Sequence, residues 1–85
     1  MNSNQPAIQY ALAYYLYESD QYEEARNILS HLIPEHYNDS RVQQDPNGFA
    51  KIYLLLGYCL QEIGDDDLAR EQIDRAYSLN PQAEL

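Results

Sequence analysis

The stretch YLLLGYCLQEIGDDDLAREQIDRAYSLNP, residues 53–81, decides the fold. Tyr53, Leu56, Gly57 and Leu60 recur at helical spacing, and Ala69, Ile73 and Ala76 do so again farther on. Residues three and four apart share one face of an α-helix. Gly64-Asp65, between the two runs, marks a tight turn. Two apolar faces joined by so short a turn must close on each other as a helical hairpin. Gly57, Ala69 and Ala76 are small enough to let the two backbones come close. Pro81 stops the second helix, because proline has no amide hydrogen and its ring clashes inside a helix.

The same pattern reappears earlier in the chain. Pro6 suits the first turn of a helix. From there to Glu18, Leu12, Ala13 and Leu16 make one apolar stripe, and Tyr10, Tyr14 and Tyr17 make a second. A helix apolar on two faces touches two things. Asp20 is expected to cap the next helix, with Glu23 three residues on completing a near capping box. That helix carries Ala25, Ile28, Leu29 and Leu32, and Pro34 ends it near Ile33.

The spacing aromatic-x2-Leu-Gly-x2-large, then Ala-x3-large, then Pro resembles the tetratricopeptide repeat. Tyr53, Leu56, Gly57, Leu60, Ala69, Ile73 and Pro81 fill it, with Ala76 and Gly64 also where that family favours small residues. Tyr53 stands where Trp is commoner and Leu60 where an aromatic is commoner; both keep a large apolar group. Residues 6–39 are similar, through Leu12, Ala13, Leu16, Tyr22, Ala25, Leu29 and Leu32. There Gln9 replaces the leading aromatic, Ala13 replaces the glycine, and no proline closes the unit at the usual place.

The resemblance implies an all-α fold. Two tandem helix-turn-helix hairpins, four helices in all, would form a short right-handed solenoid segment. The first unit is residues 6–39 and the second 50–83, with a flexible start at 1–5 and a tail at 84–85. Ala69 lies 44 residues after Ala25; the family period is about 34, so roughly 10 residues are extra. They fall at 40–49, an inserted linker that Asp45-Pro46 would convert in part to a helix extension.

Composition narrows the function. At 85 residues, 45% hydrophobic and 22% charged, the chain is one small globular domain. Its longest apolar run, Ile52 to Leu60, is far short of the ~20 residues of a membrane span. MNSNQP has neither the positive charge nor the apolar core of a secretory signal. A lone cysteine makes no internal disulfide, which fits a reducing, cytoplasmic setting. A net charge of −9 opposes binding to nucleic-acid phosphates and to anionic membrane surfaces. It suits solubility, or a basic partner.

The residues that invite chemistry have plainer roles. Asp65, Asp66 and Asp67 lack the alternation, central glycine and closing Glu of a calcium loop; they sit where a helix dipole favours acids. Arg70 with Asp74, and Glu71 with Arg75, have the spacing of helical ion pairs. His31 and His36 are five apart, on different faces, so no metal site is expected. Cys59 has no basic neighbour in sequence and reads as a buried structural thiol. No phosphate loop, nucleophile motif or paired catalytic carboxylates are present, so neither enzyme activity nor a cofactor is expected.

The tyrosines are the informative feature: 9 of them, with no Trp. In the family, the first helix of each unit lines the concave face. The resemblance therefore places Tyr10, Tyr14 and Tyr17 there, with Lys51, Leu54, Tyr58, Gln61 and Glu62 from the second unit. Tyrosine gives large contact area at small entropic cost, with a hydroxyl that tolerates water. Such a groove suits a partner's helix or an extended peptide. Some family members clamp a carboxylate terminus with Lys, Arg and Asn on this face. Here Tyr10, Tyr14 and Leu55 hold those places and only Lys51 is basic, which argues against a clamp.

The expected function is a non-enzymatic protein–protein interaction module. One alternative is a small cytoplasmic chaperone for an aggregation-prone subunit, similar in size, acidity and groove character to the helical-repeat chaperones of bacterial secretion systems. Another is a homo-oligomer assembled through a flank at Ile73, Tyr77 and Asn80. Repeat arrays usually have three or more units and a polar cap, and that flank is expected to lack a neighbour.

Overall fold

The computed structural model describes residues 5–85, so the flexible start expected at 1–5 falls almost wholly outside the described residues. Five helices follow one another: α1 Pro6–Glu18, α2 Tyr22–Leu32, α3 Ser40–Gln44, α4 Pro46–Ile63 and α5 Asp66–Leu79. No strand occurs among the described residues. α1 pairs with α2 and α4 with α5, and the two hairpins join chiefly through α2 against α4. The four long helices are the four expected; the five-residue α3 is an addition.

The two hairpins turn in the same way. Asp20 (φ 64°) and Gly64 (φ 102°) are the left-handed residues among those described, and they lie 44 positions apart. In the first turn the Gln21 amide donates to Leu16 O at 2.8 Å; in the second, Asp65 donates to Leu60 O at 2.9 Å. These atoms are again 44 residues apart, so the repeat register is a property of the backbone as well as of the side chains. The geometry corrects the expected role of Asp20. The cap position of α2 belongs to Gln21, with no side-chain cap bond. Asp20 supplies the turn, and its Oδ1 accepts the Tyr22 hydroxyl at 2.8 Å.

Local chemistry sets the other helix ends. Pro46 opens α4, and the Asp45 side chain accepts from the Gly48 amide. α2 ends on an extended Ile33 before Pro34, and α5 on an extended Asn80 before Pro81, the conformation that a following proline imposes. On α5, Arg75 pairs with Glu71 at 2.9 Å, whereas the expected Arg70–Asp74 pair does not form among the described residues.

One core cluster joins Ala13 and Leu16 of α1 and Ala25 and Leu29 of α2 to Ile52, Leu55, Leu56, Cys59 and Leu60 of α4. A second lies within the later hairpin: Ala50, Tyr53, Leu54, Ala76 and, from the tail, Ala83. Ile33, Phe49 and Leu85 pack against both. α4 and α5 approach most closely at Gly57. A Cβ there would stand 2.5 Å from Ile73 Cγ1 and 3.1 Å from Ala69 O.

The segment between the hairpins is anchored, not loose. The Tyr37 ring meets buried Tyr53 edge-on, with centroids 5.6 Å apart, and its hydroxyl donates to Arg75 O at 3.1 Å. The Arg75 guanidinium lies 5.3 Å from the same ring's centroid. Val42 of α3 is fully buried. Asp39 caps α3 by accepting from the Arg41 amide at 2.8 Å. The Arg41 guanidinium bonded to it, and then that amide bond, hold its carboxyl below the usual range. A few apolar residues in a polar segment are enough to fix it, because each finds a place on α4 or α5.

Candidate partner-binding groove

Tyr10, Tyr14 and Tyr17 of α1 are each half-buried and pack against the inter-hairpin core. Helical spacing stacks them along one side, and the rings of Tyr10 and Tyr14 sit 6.3 Å apart, tilted. Tyr17 meets Tyr22 edge-on at 5.7 Å. Its phenol is pushed up first by burial, then by Glu62 and Cys59 of α4 and by its own-helix neighbours Glu18 and Tyr14, which locates it at the α1–α4 seam. Tyr58 of α4 is half-buried as well. Burial raises its phenol most, followed by the neighbouring phenols of Tyr77 and Tyr17. A line of phenols thus runs from Tyr10 through Tyr14 and Tyr17 to Tyr58 and Tyr77.

Members of the line differ. The Tyr10 hydroxyl is buried and unpartnered, and burial raises its phenol to about 12. Tyr10 therefore offers only part of its ring. It shares a recess of about 350 Å³ with Phe49, Lys51 and Ile52 at the start of the α1–α4 seam. Gln61 is exposed and lies instead in a separate notch of about 370 Å³ with Asp66, Arg70 and Ile73. Leu54, expected in the groove, is sealed in the second cluster beside Ala76 and Ala83. The chain end folds over that part of α4, so Leu54 is core. Ile73, expected on an open flank, turns largely inward onto Gly57, and only its edge reaches solvent.

Family comparison agrees with this architecture. A model described as Tetratricopeptide repeat matches residues 1–44, and another of the same description matches residues 50–83. The chain belongs to the tetratricopeptide-repeat family. No curated protein and no solved structure matches it. Tetratricopeptide repeats mediate protein–protein contacts and are typically non-catalytic modules. Among the described residues no group of three or more His, Cys, Asp or Glu side chains comes together to hold a metal. No helix among them is long and apolar enough to cross a membrane.

Ile8 and Tyr15 carry no role in the sequence pattern, and Leu12 carries one there that differs from its place in the structure. Ile8, Leu12 and Tyr15 of α1 form an exposed apolar stripe, although Leu12 was expected to share one stripe with Ala13 and Leu16, which are buried. The 44-residue register matches them to Ile52, Leu56 and Cys59, and only the structure shows that this first copy of the face is uncovered.

Proposed function

We propose that this chain is a protein-binding module that holds a partner's helix or extended segment against the tyrosine line at the α1–α4 seam. One observation carries the reading. Tyr14 and Tyr58 stand 44 residues apart in the repeat register, and both stay half-exposed while Ala13 and Leu16, and Cys59 and Leu60, beside them are sealed. A purely structural position would gain more from Leu or Phe, which bring no hydroxyl to satisfy. Lys51 supplies an exposed polar group beside Tyr10 at the start of the line. The net charge of −9 favours a partner with basic flanks.

The test is the double variant Tyr14→Ala, Tyr58→Ala. Partners captured by the native chain and identified by mass spectrometry should be lost, with the helical circular dichroism unchanged. Loss of the helical signal would assign the rings to the core, and unchanged capture would move the binding face elsewhere. The chaperone reading is a special case, in which the captured partner aggregates when expressed alone.

A further inference from the structure

The repeat register shows where each hairpin lacks a neighbour. Ile52, Leu56 and Cys59 of α4 belong to the core shared with α2 and are 5%, 3% and 0% exposed. Their counterparts 44 residues earlier are Ile8, Leu12 and Tyr15, which are 48%, 45% and 65% exposed. One helix face is built twice, and the second time an α2-type helix covers it. The complementary surface shows the same contrast. Leu29 of α2 is fully buried, while its counterpart Ile73 on α5 remains partly open, beside the exposed Tyr77.

We infer that two copies of this chain stack head to tail, the Ile8–Leu12–Tyr15 face of one copy packing on the Arg70–Ile73–Tyr77 face of the next. The contact continues the α2–α4 interface already present within the chain. Side-chain sizes fit it. Between the hairpins, the edge-on Tyr17–Tyr22 pair lies next to a thiol, Cys59. The counterparts of Tyr17 and Tyr22 are Gln61 and Asp66, which leave the open notch of about 370 Å³ with Arg70 and Ile73. The incoming counterpart of Cys59 is Tyr15, a larger group for a larger space. α1 carries no charge before Glu18, so its stripe brings no ion into the contact. The interface is heterologous, and its repetition produces open chains of copies. It meets the tyrosine line at Tyr77, so stacking covers that end of the line and leaves Tyr10 and Tyr14 outside the contact.

Light scattering on the 85-residue chain, from micromolar to near-millimolar concentration, should show a mass that keeps rising beyond the dimer. Added salt should strengthen the association, because copies of net charge −9 repel one another. Leu12→Glu and Tyr77→Glu, each folded by circular dichroism, should each be monomeric. Mixed one to one they should form a dimer that grows no further, since each retains one intact face. Arg70→Glu, at an exposed position, is the second α5 variant should Tyr77→Glu unfold. A native chain that stays monomeric throughout overturns the inference. So does a Tyr77→Glu chain that still dimerises while Leu12→Glu does not, which would mean that α1 pairs with α1.

Discussion

α1 and α4 hold the same place in their hairpins, begin with proline and carry the same leucines in the same register, yet they live in different surroundings. Only Ala13 and Leu16 of α1 are buried, against most of α4 from Ala50 to Leu60. Neither helix propensity nor composition explains this, since both helices are predominantly apolar. α4 lies between α2 and α5, with Tyr37 and the chain end also against its cluster. α1 has α2 on one side and only a narrow seam with α4. Burial, and the stabilisation that comes with it, belongs to the neighbours a residue acquires.

Truncating the paired leucines gives the widest separation. Leu56→Ala should cost about 2–5 kcal/mol, since it empties a sealed site. Leu12→Ala, at the equivalent exposed site, should stay within about 0.5 kcal/mol. Urea unfolding at low protein concentration measures both, and equal losses would abolish the contrast.

The small residues at the hairpin contact come next. Gly57→Ala sets a methyl against Ile73 and the Ala69 carbonyl. Overpacking of about 1–3 kcal/mol should exceed the gain of about 1 kcal/mol in helix propensity, so the midpoint falls. Its counterpart already carries that methyl, so Ala13→Gly should also destabilise, by about 1 kcal/mol, through propensity and lost packing. A stabilised Gly57→Ala chain would show that α4 and α5 can move apart freely.

The turn residues should respond in opposite directions. Gly64→Ala places a Cβ at φ 102° and should cost about 1 kcal/mol or more. Asp20→Gly relieves a left-handed non-glycine residue, losing only an exposed bond to Tyr22, and should gain up to about 1 kcal/mol. Thermal melts of the two variants would decide it.

Thiol chemistry reads the same contrast without a stability change. Burial removes Cys59 from solvent and pushes its thiol up to about 11 from 9.0. A thiol reagent should leave it unmodified in the folded chain, yet modify a Tyr15→Cys variant at once at the new site. The sign of the pH dependence follows. A folded-state pKa raised above the unfolded one contributes stability that is complete below pH 9 and is lost as pH climbs through 11. The melting temperature should therefore fall across that window, less steeply in Cys59→Ala. Immediate labelling of native Cys59 would mean that α2 opens readily from α4.

The groove was only partly legible in the sequence. The helical stripe of Tyr10, Tyr14 and Tyr17 follows from spacing alone, and the match of Tyr14 with Tyr58 from the 44-residue register, whereas Tyr17 has Gln61 as its counterpart. Leu54 could not be placed in this way. It shares the α4 register that selects Lys51 and Tyr58, and only the fold-back of Ala83 and Leu85 seals the cluster around it. Tyr37 was illegible for a similar reason. Nothing local marks a tyrosine in a polar stretch as a wedge, and its partners Tyr53 and Arg75 lie far along the chain. Asp20 looked like a cap because acids usually are caps at such positions. Its left-handed backbone belongs to the closed turn, which no local residue type marks.

The sequence by itself determined the four long helices, their ends at Pro34, Gly64 and Pro81, and the pairing of small and large residues that makes each hairpin. Periodicity, prolines and glycine act over a few residues, so they can be read without coordinates. Tertiary structure alone decided which apolar faces are used. Ile8 and Ile52, Leu12 and Leu56 obey the same helical pattern, and they differ because a second helix lies over one of each pair and not over the other.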